Sequence, residues 1–372
     1  MSEGEILFPV QKRDIPFREI PPREAVSALL DWYRASARDL PWRREITPYR
    51  VWISEIMLQQ TRVEAVKPYF HRFLEALPDI PSLAGVEDAR LLKLWEGLGY
   101  YSRARNLKKA ASVVMEQHGG ELPADLQKLK KLPGIGSYTA GAIASIAFGI
   151  PAPAVDGNVL RVLARLTGSD ADILRPQTRA AAEQTVLQLC PAEAPGDFTQ
   201  GMIELGATVC VPNGEAKCSA CPVSRWCVAA REGLVDRLPV RSAKAPRRVE
   251  DRTVLLLREG DRYLIRRRPS KGLLAGLYEL PNELGTLDRD QAIAFARKNG
   301  FQPLRTEHLA PAKHIFTHVE WHMTAYLMTG YFSDPEQGKE RVMASGGELS
   351  DVYAIPSAFS AYLKAIRELK TT

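Results

Sequence analysis

The sequence predicts a multidomain protein in which an all-α domain is followed by an α+β domain. Its 372 residues exceed what one hydrophobic core usually serves. From Ala25 to about Gly233, apolar residues recur at three- and four-residue spacing, as at Leu29, Leu30 and Tyr33, which predicts helices. From His318 to Leu327, apolar and polar residues alternate, which predicts a strand with one buried face.

A basic segment with two prolines, PVRSAKAPRRVEDR, separates the two patterns and predicts a linker. We therefore divide the chain into a flexible leader (1–22), a helical domain (23–237), a linker (238–250) and a second domain (251–372). In the second domain we predict further strands at Thr253–Leu257 and Tyr263–Arg267, and short helices near Asp290–Asn299 and Ala358–Leu369.

Composition and charge narrow the class of protein. Hydrophobic content of 45% and charged content of 25% are ordinary for a globular protein, and the net charge of +6 permits a polyanionic partner. The N-terminus has early acids and lacks the apolar core of a signal peptide. The uncharged run 137–155 is broken by glycine and prolines, so we expect no membrane span and a cytoplasmic, or in bacteria nucleoid-associated, location.

A glycine turn links two predicted helices, one ending near Leu129 and the other beginning at Ser137. We expect Gly134 and Gly136 to adopt torsions that a Cβ would forbid. Backbone N–H groups at the start of the second helix would then form a phosphate site beside Lys128, Lys130 and Lys131. The alternative is a plain turn between two core helices.

Two acids stand out. Glu55 lies in an otherwise apolar helix predicted at 48–63, where burial would raise its pKa and allow it to act as a general acid. The alternative places it on the wet face or in an ion pair with an arginine. Asp156 either caps the helix that follows it or faces a ligand. Two acids in different environments would suit cleavage of a glycosidic bond. The sequence does not show that they meet.

Four cysteines near the C-terminal end of the helical domain form the pattern C-x7-C-x2-C-x5-C, at Cys210, Cys218, Cys221 and Cys227. Four thiolates in one short loop suit an iron–sulfur cluster or zinc, and ligand type alone leaves the choice open. We interpret Cys190, which lies outside this loop, as a small buried apolar residue.

Together these pieces resemble the MutY family of adenine DNA glycosylases, within the endonuclease III or helix-hairpin-helix superfamily. The resemblance covers nearly the whole chain. The motifs that carry it are LPWR, PYRVWISEIMLQQTRV, WEGLGYYSRARNL, LPGIGSYTAGAIASIAFG, PAVDGNVLRV, IELGATVC and the cysteine loop. The second domain resembles the family's Nudix-like lesion-recognition domain through RRRPSKGLLAGLYELP and HIFTHVEWH.

The resemblance implies a role for individual residues. Glu55 matches the acid that protonates the departing adenine, and Asp156 matches the carboxylate that stabilises the sugar cation. The remaining matches are Tyr138 and Asn158 near that centre, Trp42 and Arg43 in the adenine pocket, Gln60, Thr61, Leu98, Tyr100, Gly134, Gly136 and Ser137 on DNA, and the four cysteines on a 4Fe–4S cluster. In the second domain His314, Phe316, Thr317 and His318 match the loop that reads 8-oxoguanine.

Four local features of the sequence qualify the match. Members of the wider superfamily that cleave the DNA backbone carry a lysine at the position of Tyr138, so hydrolysis without an amine nucleophile is implied. The first cysteine gap is one residue longer than the family's usual gap, and we expect Gly214 to absorb it. Thr317 replaces the family's serine. The segment matching the Nudix hydrolase box has none of the glutamates that hold Mg²⁺.

The implied function is excision of adenine opposite 8-oxoguanine or guanine in duplex DNA, during base excision repair, by a monomer. Two rivals remain: a glycosylase/lyase for damaged pyrimidines, and a catalytically silent DNA-binding module with a redox-sensing cluster. His314, His318 and His322 are each four residues apart, and a metal site there is a lesser interpretation.

Overall fold

The computed structural model describes residues 16–17, 20–243, 246–333 and 341–369. Backbone contacts divide the chain into two compact units, one formed by Met1–Ala84 with Lys109–Ala243, and the other by Gly85–Lys108 with Lys244–Thr372. The division after Ala243 falls inside the segment predicted as a linker. Most of the predicted leader lies outside the described residues, and Phe17, which is described, is buried in the helical core.

Residues 85–108 belong to the second unit, although the predicted helical domain includes them. Hydrogen bonds across a long sequence separation account for this. Arg105 Nη1 donates to the carbonyl of Ala275 at 2.8 Å, and Glu96 Oε1 accepts from the backbone N–H of Ile355 at 2.9 Å. Helical periodicity does not report such contacts. The other predicted domain boundaries stay predictions.

Most of the described chain before residue 243 is helical, as predicted. The α-helices are α1 (Arg23–Ser36), α2 (Pro41–Arg44), α3 (Pro48–Leu58), α4 (Val63–Ala76), α5 (Ile80–Gly85), α6 (Asp88–Leu94), α7 (Ser102–Gln117), α8 (Leu126–Lys131), α9 (Ser137–Ala142), α10 (Gly157–Thr167), α11 (Pro176–Leu189), α12 (Pro195–Thr208) and α13 (Val228–Arg231). A π-helical turn, Ile143–Ala147, continues α9.

Helix α3, which carries Glu55, is fixed at both ends by local chemistry. Thr47 caps it by accepting from the backbone N–H of Arg50 at 3.2 Å, and Pro48 occupies the first turn, where its missing N–H costs nothing. The helix ends at Leu58, earlier than the predicted Val63, because Gln60 adopts the left-handed conformation with φ 57°.

Close backbone approaches position the segment that holds Asp156. A Cβ built on Gly141 of α9 would lie 1.9 Å from the carbonyl oxygen of Pro153. A Cβ on Gly206 of α12 would lie 2.6 Å from the Cβ of Asn158. Helices α9 and α12 thus pack directly on residues 153–158. The rest of α10 buries Leu160 and Leu163 in the core of the first unit.

In the second unit, seven strands within the described residues form one mixed sheet of order β3-β2-β1-β6-β5, with β4 paired to β1 and β7 to β2. Strands β1 and β6 are parallel, with Val254 opposite Ala325, and the other pairs are antiparallel. The strands are β1 (Arg248–Glu259), β2 (Arg262–Arg267), β3 (Tyr278–Glu279), β4 (Asn282–Leu284), β5 (Phe301–Ile315), β6 (Val319–Phe332) and β7 (Arg341–Ser345).

Helices cover both faces of this sheet. Trp321 and its same-face neighbours on β6 pack against α16 (Ser360–Glu368), which confirms the face predicted from alternation. On the opposite face Tyr326 and Met328 pack against α14 (Arg289–Lys298). The remaining helix is α15 (Gly346–Asp351). The predicted α+β second domain is confirmed, and no helix in the described ranges is long and apolar enough to cross a bilayer.

Candidate active site and nucleic-acid-binding residues

A cavity of about 740 Å³ in the first unit gathers most of the predicted catalytic and pocket residues. Its wall is formed by α2, α3, α9, α12 and the start of α10. The predicted residues on this wall are Trp42, Arg43, Glu55, Gln60, Thr61, Gly136, Ser137, Tyr138, Asp156 and Asn158. The structure thus brings together two acids that are about a hundred residues apart in the sequence.

Glu55 projects from α3 into this cavity in a buried setting, with 8% of its surface exposed. Burial raises the pKa of Glu55 to about 7; a hydrogen bond from Tyr138 opposes this shift, and the charge of Asp156 adds to it. Among the described residues, its Oε2 atom has no hydrogen-bond partner. The alternative that placed Glu55 on the wet face of its helix is wrong.

Asp156 caps α10, as one interpretation predicted, and it also lines the cavity. Its Oδ1 accepts from the backbone N–H groups of Asn158 and Val159, each at 2.8 Å, and its Oδ2 accepts from Asn158 Nδ2 at 2.8 Å. Burial raises the pKa of Asp156, while these hydrogen bonds and the charge of Arg161 limit the rise. Arg161 Nη2 in turn donates to Asn158 Oδ1 at 2.8 Å.

The base-pocket residues belong to a network that the sequence interpretation missed. Trp42 packs edge-on against Phe70, with ring centroids 5.6 Å apart. Arg43 donates to Gln200 Oε1 at 3.2 Å and to Glu204 Oε2 at 2.9 Å. Glu204 is an acid in an apolar run, IELG, which is the same signal that selected Glu55.

The glycine turn differs from its prediction at one position. Gly134 has φ 76°, in the region that favours glycine, but Gly136 has φ −84° with room for a Cβ. Only Gly134 therefore requires glycine torsions, because Gly136 already has the extended conformation of a helix N-cap. Ser137, the first residue of α9, donates its hydroxyl to Glu183 Oε1 at 3.0 Å.

Gln60 and Thr61, predicted to contact DNA, follow α3 on the rim of the cavity. Gln60 is exposed, and its left-handed backbone turns the chain away from the helix. Thr61 is partly buried, and its hydroxyl donates to the carbonyl of Gln59 at 3.4 Å.

The predicted wedge and lesion-reading residues lie in the second unit. Tyr100 has φ 47° and is 46% exposed, whereas Leu98 is buried, so Leu98 does not offer a surface side chain in this structure. The hydroxyl groups of Tyr100 and Thr317 are hydrogen-bonded to each other. A residue predicted to contact DNA, Tyr100, is therefore hydrogen-bonded to a residue predicted to contact the oxidised guanine, Thr317.

Around Thr317, the side chains of the lesion-reading loop are available for contact. His318 and Thr317 are exposed, and the rings of His314 and Phe316 pack edge-on with centroids 4.6 Å apart. Burial lowers the pKa of His314. His322 pairs with Glu320 at 2.7 Å, and the described residues contain no His, Cys, Asp or Glu group arranged to hold a metal.

The four cysteines of the predicted metal centre line one small cavity of about 30 Å³. Arg165 Nη1 donates to Cys210 Sγ at 3.3 Å, and Gly214 has φ 76°, consistent with its predicted role in the longer gap. Burial, with the neighbouring Cys210, Cys218 and Cys227, raises the pKa of Cys221 to about 12. Four thiolates are the ligand set of an iron–sulfur cluster, so the ligand chemistry fits such a group. Within the described residues, the four sulfur atoms do not form a group arranged to hold a metal ion.

Comparison with known proteins defines the class. Residues 53–191 match the family described as HhH-GPD superfamily base excision DNA repair protein, and residues 253–365 match the NUDIX domain. A solved structure of a thermostable thymine-DNA glycosylase has 29% identity and a TM-score of 0.51, covering 56% of this chain and 95% of that one. The chain is therefore a helix-hairpin-helix base excision repair protein with a Nudix-like domain, as the sequence predicted.

Relatives over most of the chain define the family within that class. The adenine DNA glycosylase of Mus musculus is 35% identical over an alignment of 360 positions that covers 81% of this chain and 70% of that protein. The adenine DNA glycosylase of Arabidopsis thaliana is 38% identical over an alignment of 349 positions that covers 78% of this chain and 55% of that protein. The chain therefore spans about half of the length of the plant relative. The chain belongs to the MutY family of adenine DNA glycosylases.

Proposed function

We propose that the protein removes adenine from duplex DNA where it is mispaired with 8-oxoguanine or guanine, by hydrolysis of the N-glycosidic bond. One observation carries the proposal: a buried acid with a raised pKa, Glu55, and a hydrogen-bonded acid, Asp156, line the same cavity. Membership of the adenine DNA glycosylase family supports the choice of adenine.

The two acids take different parts in the proposed reaction. Glu55 is half-protonated near neutral pH and donates its proton to the adenine ring, so that the base leaves as a neutral molecule. The electrons of the C1′–N9 bond depart with the base and leave a cationic sugar. Asp156, whose two oxygens accept three hydrogen bonds, stabilises this cation as a carboxylate. Water then adds to C1′ and releases a proton.

Cleavage of the DNA backbone is not part of the proposal. A lyase needs an amine to form a Schiff base with the sugar, and Tyr138 supplies a hydroxyl at that position. Tyr138 instead hydrogen-bonds to Glu55, which suits a role in orienting the acid.

Several surface features support a duplex with an extruded base as the substrate. Extrusion costs a few kcal/mol, and a side chain that fills the gap offsets part of that cost. Tyr100 is the exposed aromatic residue proposed for this wedge, and Thr317 with His318 is proposed to contact the oxidised guanine. The turn at Gly134 and Ser137 is proposed to bind a phosphate.

We also propose a 4Fe–4S cluster held by Cys210, Cys218, Cys221 and Cys227. The four cysteines converge on one cavity, which supports this ligand set. When bound, the cluster would tie the end of α12 to the loop that follows, and this loop carries Lys217 and Arg225 as positive charge for DNA. The full chain is proposed to act as a cytoplasmic monomer.

The decisive experiment is a glycosylase assay with the full chain on duplexes containing adenine opposite 8-oxoguanine, guanine or thymine. We expect release of free adenine and strand breaks only after alkali, with fastest release opposite 8-oxoguanine. A covalent protein–DNA product trapped by borohydride would favour the lyase. DNA binding without adenine release from any of the duplexes would favour the silent binding module.

A further inference from the structure

A buried ion-pair network stands behind the base pocket and centres on Glu204. This side chain lies on α12 with none of its surface exposed. Its Oε1 accepts from Arg38 Nε at 2.6 Å and from the Arg38 backbone N–H at 3.2 Å. Its Oε2 accepts from Arg38 Nη2 at 2.8 Å and from Arg43 Nη2 at 2.9 Å. One carboxylate therefore holds two arginines.

The arginine at the cavity wall, Arg43, is consequently fixed at every nitrogen of its fork. Besides Glu204, its Nη1 binds the carbonyl of Arg38 at 3.1 Å and its Nε binds Gln200 Oε1 at 3.2 Å. Its guanidinium carbon also lies 5.4 Å from the ring centroid of Tyr33. A guanidinium bound in this way has one orientation. Its hydrogen bond to Gln200 Oε1 then fixes the orientation of the Gln200 amide as well.

We propose that Glu204 is a positioning residue for base excision, which fixes the Arg43 guanidinium and the Gln200 amide as one rigid hydrogen-bonding wall of the base pocket. This inference rests on the proposed function. Glu204 itself is sealed behind the arginines and does not line the cavity, whereas Arg43, Gln200 and Arg38 do.

The network also controls charge near the proton donor. The groups that act electrostatically on Glu55 are Tyr138 from α9, Asp156 from the start of α10, and Arg43 from α2. Arg43 favours the ionised form of Glu55, and Glu204 compensates the charge of Arg43 from behind. Loss of that compensation leaves two neighbouring guanidinium groups without their counter-ion, which pulls the proton off Glu55 at a lower pH.

The test compares the wild-type full chain with Glu204→Gln in single-turnover excision across pH 5 to 9, roughly the range of Glu55 titration. We expect the maximum rate to fall about ten-fold or more and the alkaline limb of the profile to move to lower pH. Affinity for a duplex carrying a non-cleavable adenine analogue should change far less, because phosphate contacts dominate it. Glu204→Asp, which keeps the charge, should recover the alkaline limb.

A matched control is Asp197→Asn, which breaks an arginine–carboxylate pair on the same helix. The Arg34–Asp197 pair, at 2.8 Å, is exposed on both sides, so the rate, affinity and pH profile should stay at wild-type values. Thermal melting of each variant separates a loss of fold from a loss of positioning.

If Glu204→Gln does not fold, Arg43→Lys tests the network from the other end while Glu204 keeps Arg38. Lysine cannot make the three directed bonds of the guanidinium, so a similar rate loss is expected. A wild-type rate and pH profile in either folded variant would overturn the role of Glu204 while adenine excision by the wild type still stands. No excision by the wild type would instead overturn the proposed function.

Discussion

Asp156 and Asn158 are joined by two hydrogen bonds of 2.8 Å, one to the backbone and one to the side chain of the asparagine. Arg161 holds the other end of the Asn158 amide at 2.8 Å. The chain Arg161–Asn158–Asp156 therefore fixes the plane of the carboxylate, and a proposed charge stabiliser must be held in this way to act without reorganisation.

Replacing Asn158 with alanine should slow adenine excision by about ten- to a hundred-fold, because the carboxylate of Asp156 loses one of its three hydrogen bonds and its fixed orientation. The single-turnover rate is the measurement. Duplex affinity is the control, and it should remain near the wild-type value. A wild-type rate in Asn158→Ala would show that the backbone cap alone is sufficient to orient Asp156.

The raised pKa of Glu55 predicts the pH dependence of excision. Because the proposed acid must carry its proton, and its pKa is about 7, the rate should fall by about ten-fold for each unit above pH 7 once Glu55 is ionised. Glu55→Gln should lower the rate by at least about a hundred-fold at every pH. Excision that keeps its rate from pH 7 to 9 would contradict the assignment.

The same pKa predicts that the free energy of unfolding falls as pH rises, which is the opposite of the trend for a salt-bridged acid. The folded pKa of Glu55 is about 7 and its ordinary value is 4.5, so the folded state binds the proton more tightly between these values. The contribution of Glu55 to the stability of the folded state is fully present below pH 4.5 and is lost as pH rises to about 7. The loss is of order 3 kcal/mol.

Denaturant unfolding of wild type and Glu55→Gln at a series of pH values measures this effect. The glutamine variant lacks the titrating group, so the difference in unfolding free energy between the two proteins should shift in favour of the variant as pH rises. Equal pH dependence of the two proteins would show that Glu55 titrates normally.

The sequence predicted the two acids that line the cavity better than it predicted the residues around them, and the reason is physical. A single acid in an apolar helix, such as Glu55, is unusual enough to be recognised without a structure. The same signal marks Glu204, which was missed because the partners that hold it, Arg38 and Arg43, are more than a hundred and fifty residues away. Sequence spacing carries no information on such pairings.

The fold shows the same limit. Alternation on β6 predicted its buried face, and apolar residues at three- and four-residue spacing predicted most of the helical region. The long strand β5 was missed because Pro303 and the register shift after Leu309 interrupt its alternation. Residues 85–108 were assigned to the helical domain for their periodicity, but the contacts of Glu96 and Arg105 tie them to the second unit.

Replacing one cysteine of the proposed cluster should remove it. The full chain purified without oxygen should carry about four iron atoms per molecule and show the visible absorbance of thiolate-bound iron. Cys221→Ser should lose the iron and absorbance and melt at a lower temperature. Cys190→Ser is the matched control, since Cys190 lies outside the cavity formed by the other four, and it should keep both. Zinc in place of iron in the wild type would leave the ligand set correct and the cluster assignment wrong.

The packing of α12 on Asn158 gives a prediction that connects stability to the site. A Cβ on Gly206 would lie 2.6 Å from the Cβ of Asn158 and 3.1 Å from its Cα, so Gly206→Ala must displace either α12 or the residues beside Asp156. Overpacking of this kind costs about 1–3 kcal/mol. We expect that loss in unfolding free energy, together with a slower excision rate in the fraction that remains folded.

Gly157→Ala is the control for this substitution. A Cβ on Gly157 would meet nothing within 4 Å, and the residue begins α10, so alanine should leave the unfolding free energy unchanged or slightly higher. Denaturant unfolding measures both variants. If Gly206→Ala is as stable as the wild type, α10 and α12 have room to separate. Asn158 would then be held by its hydrogen bonds to Asp156 and Arg161 rather than by the contact with α12.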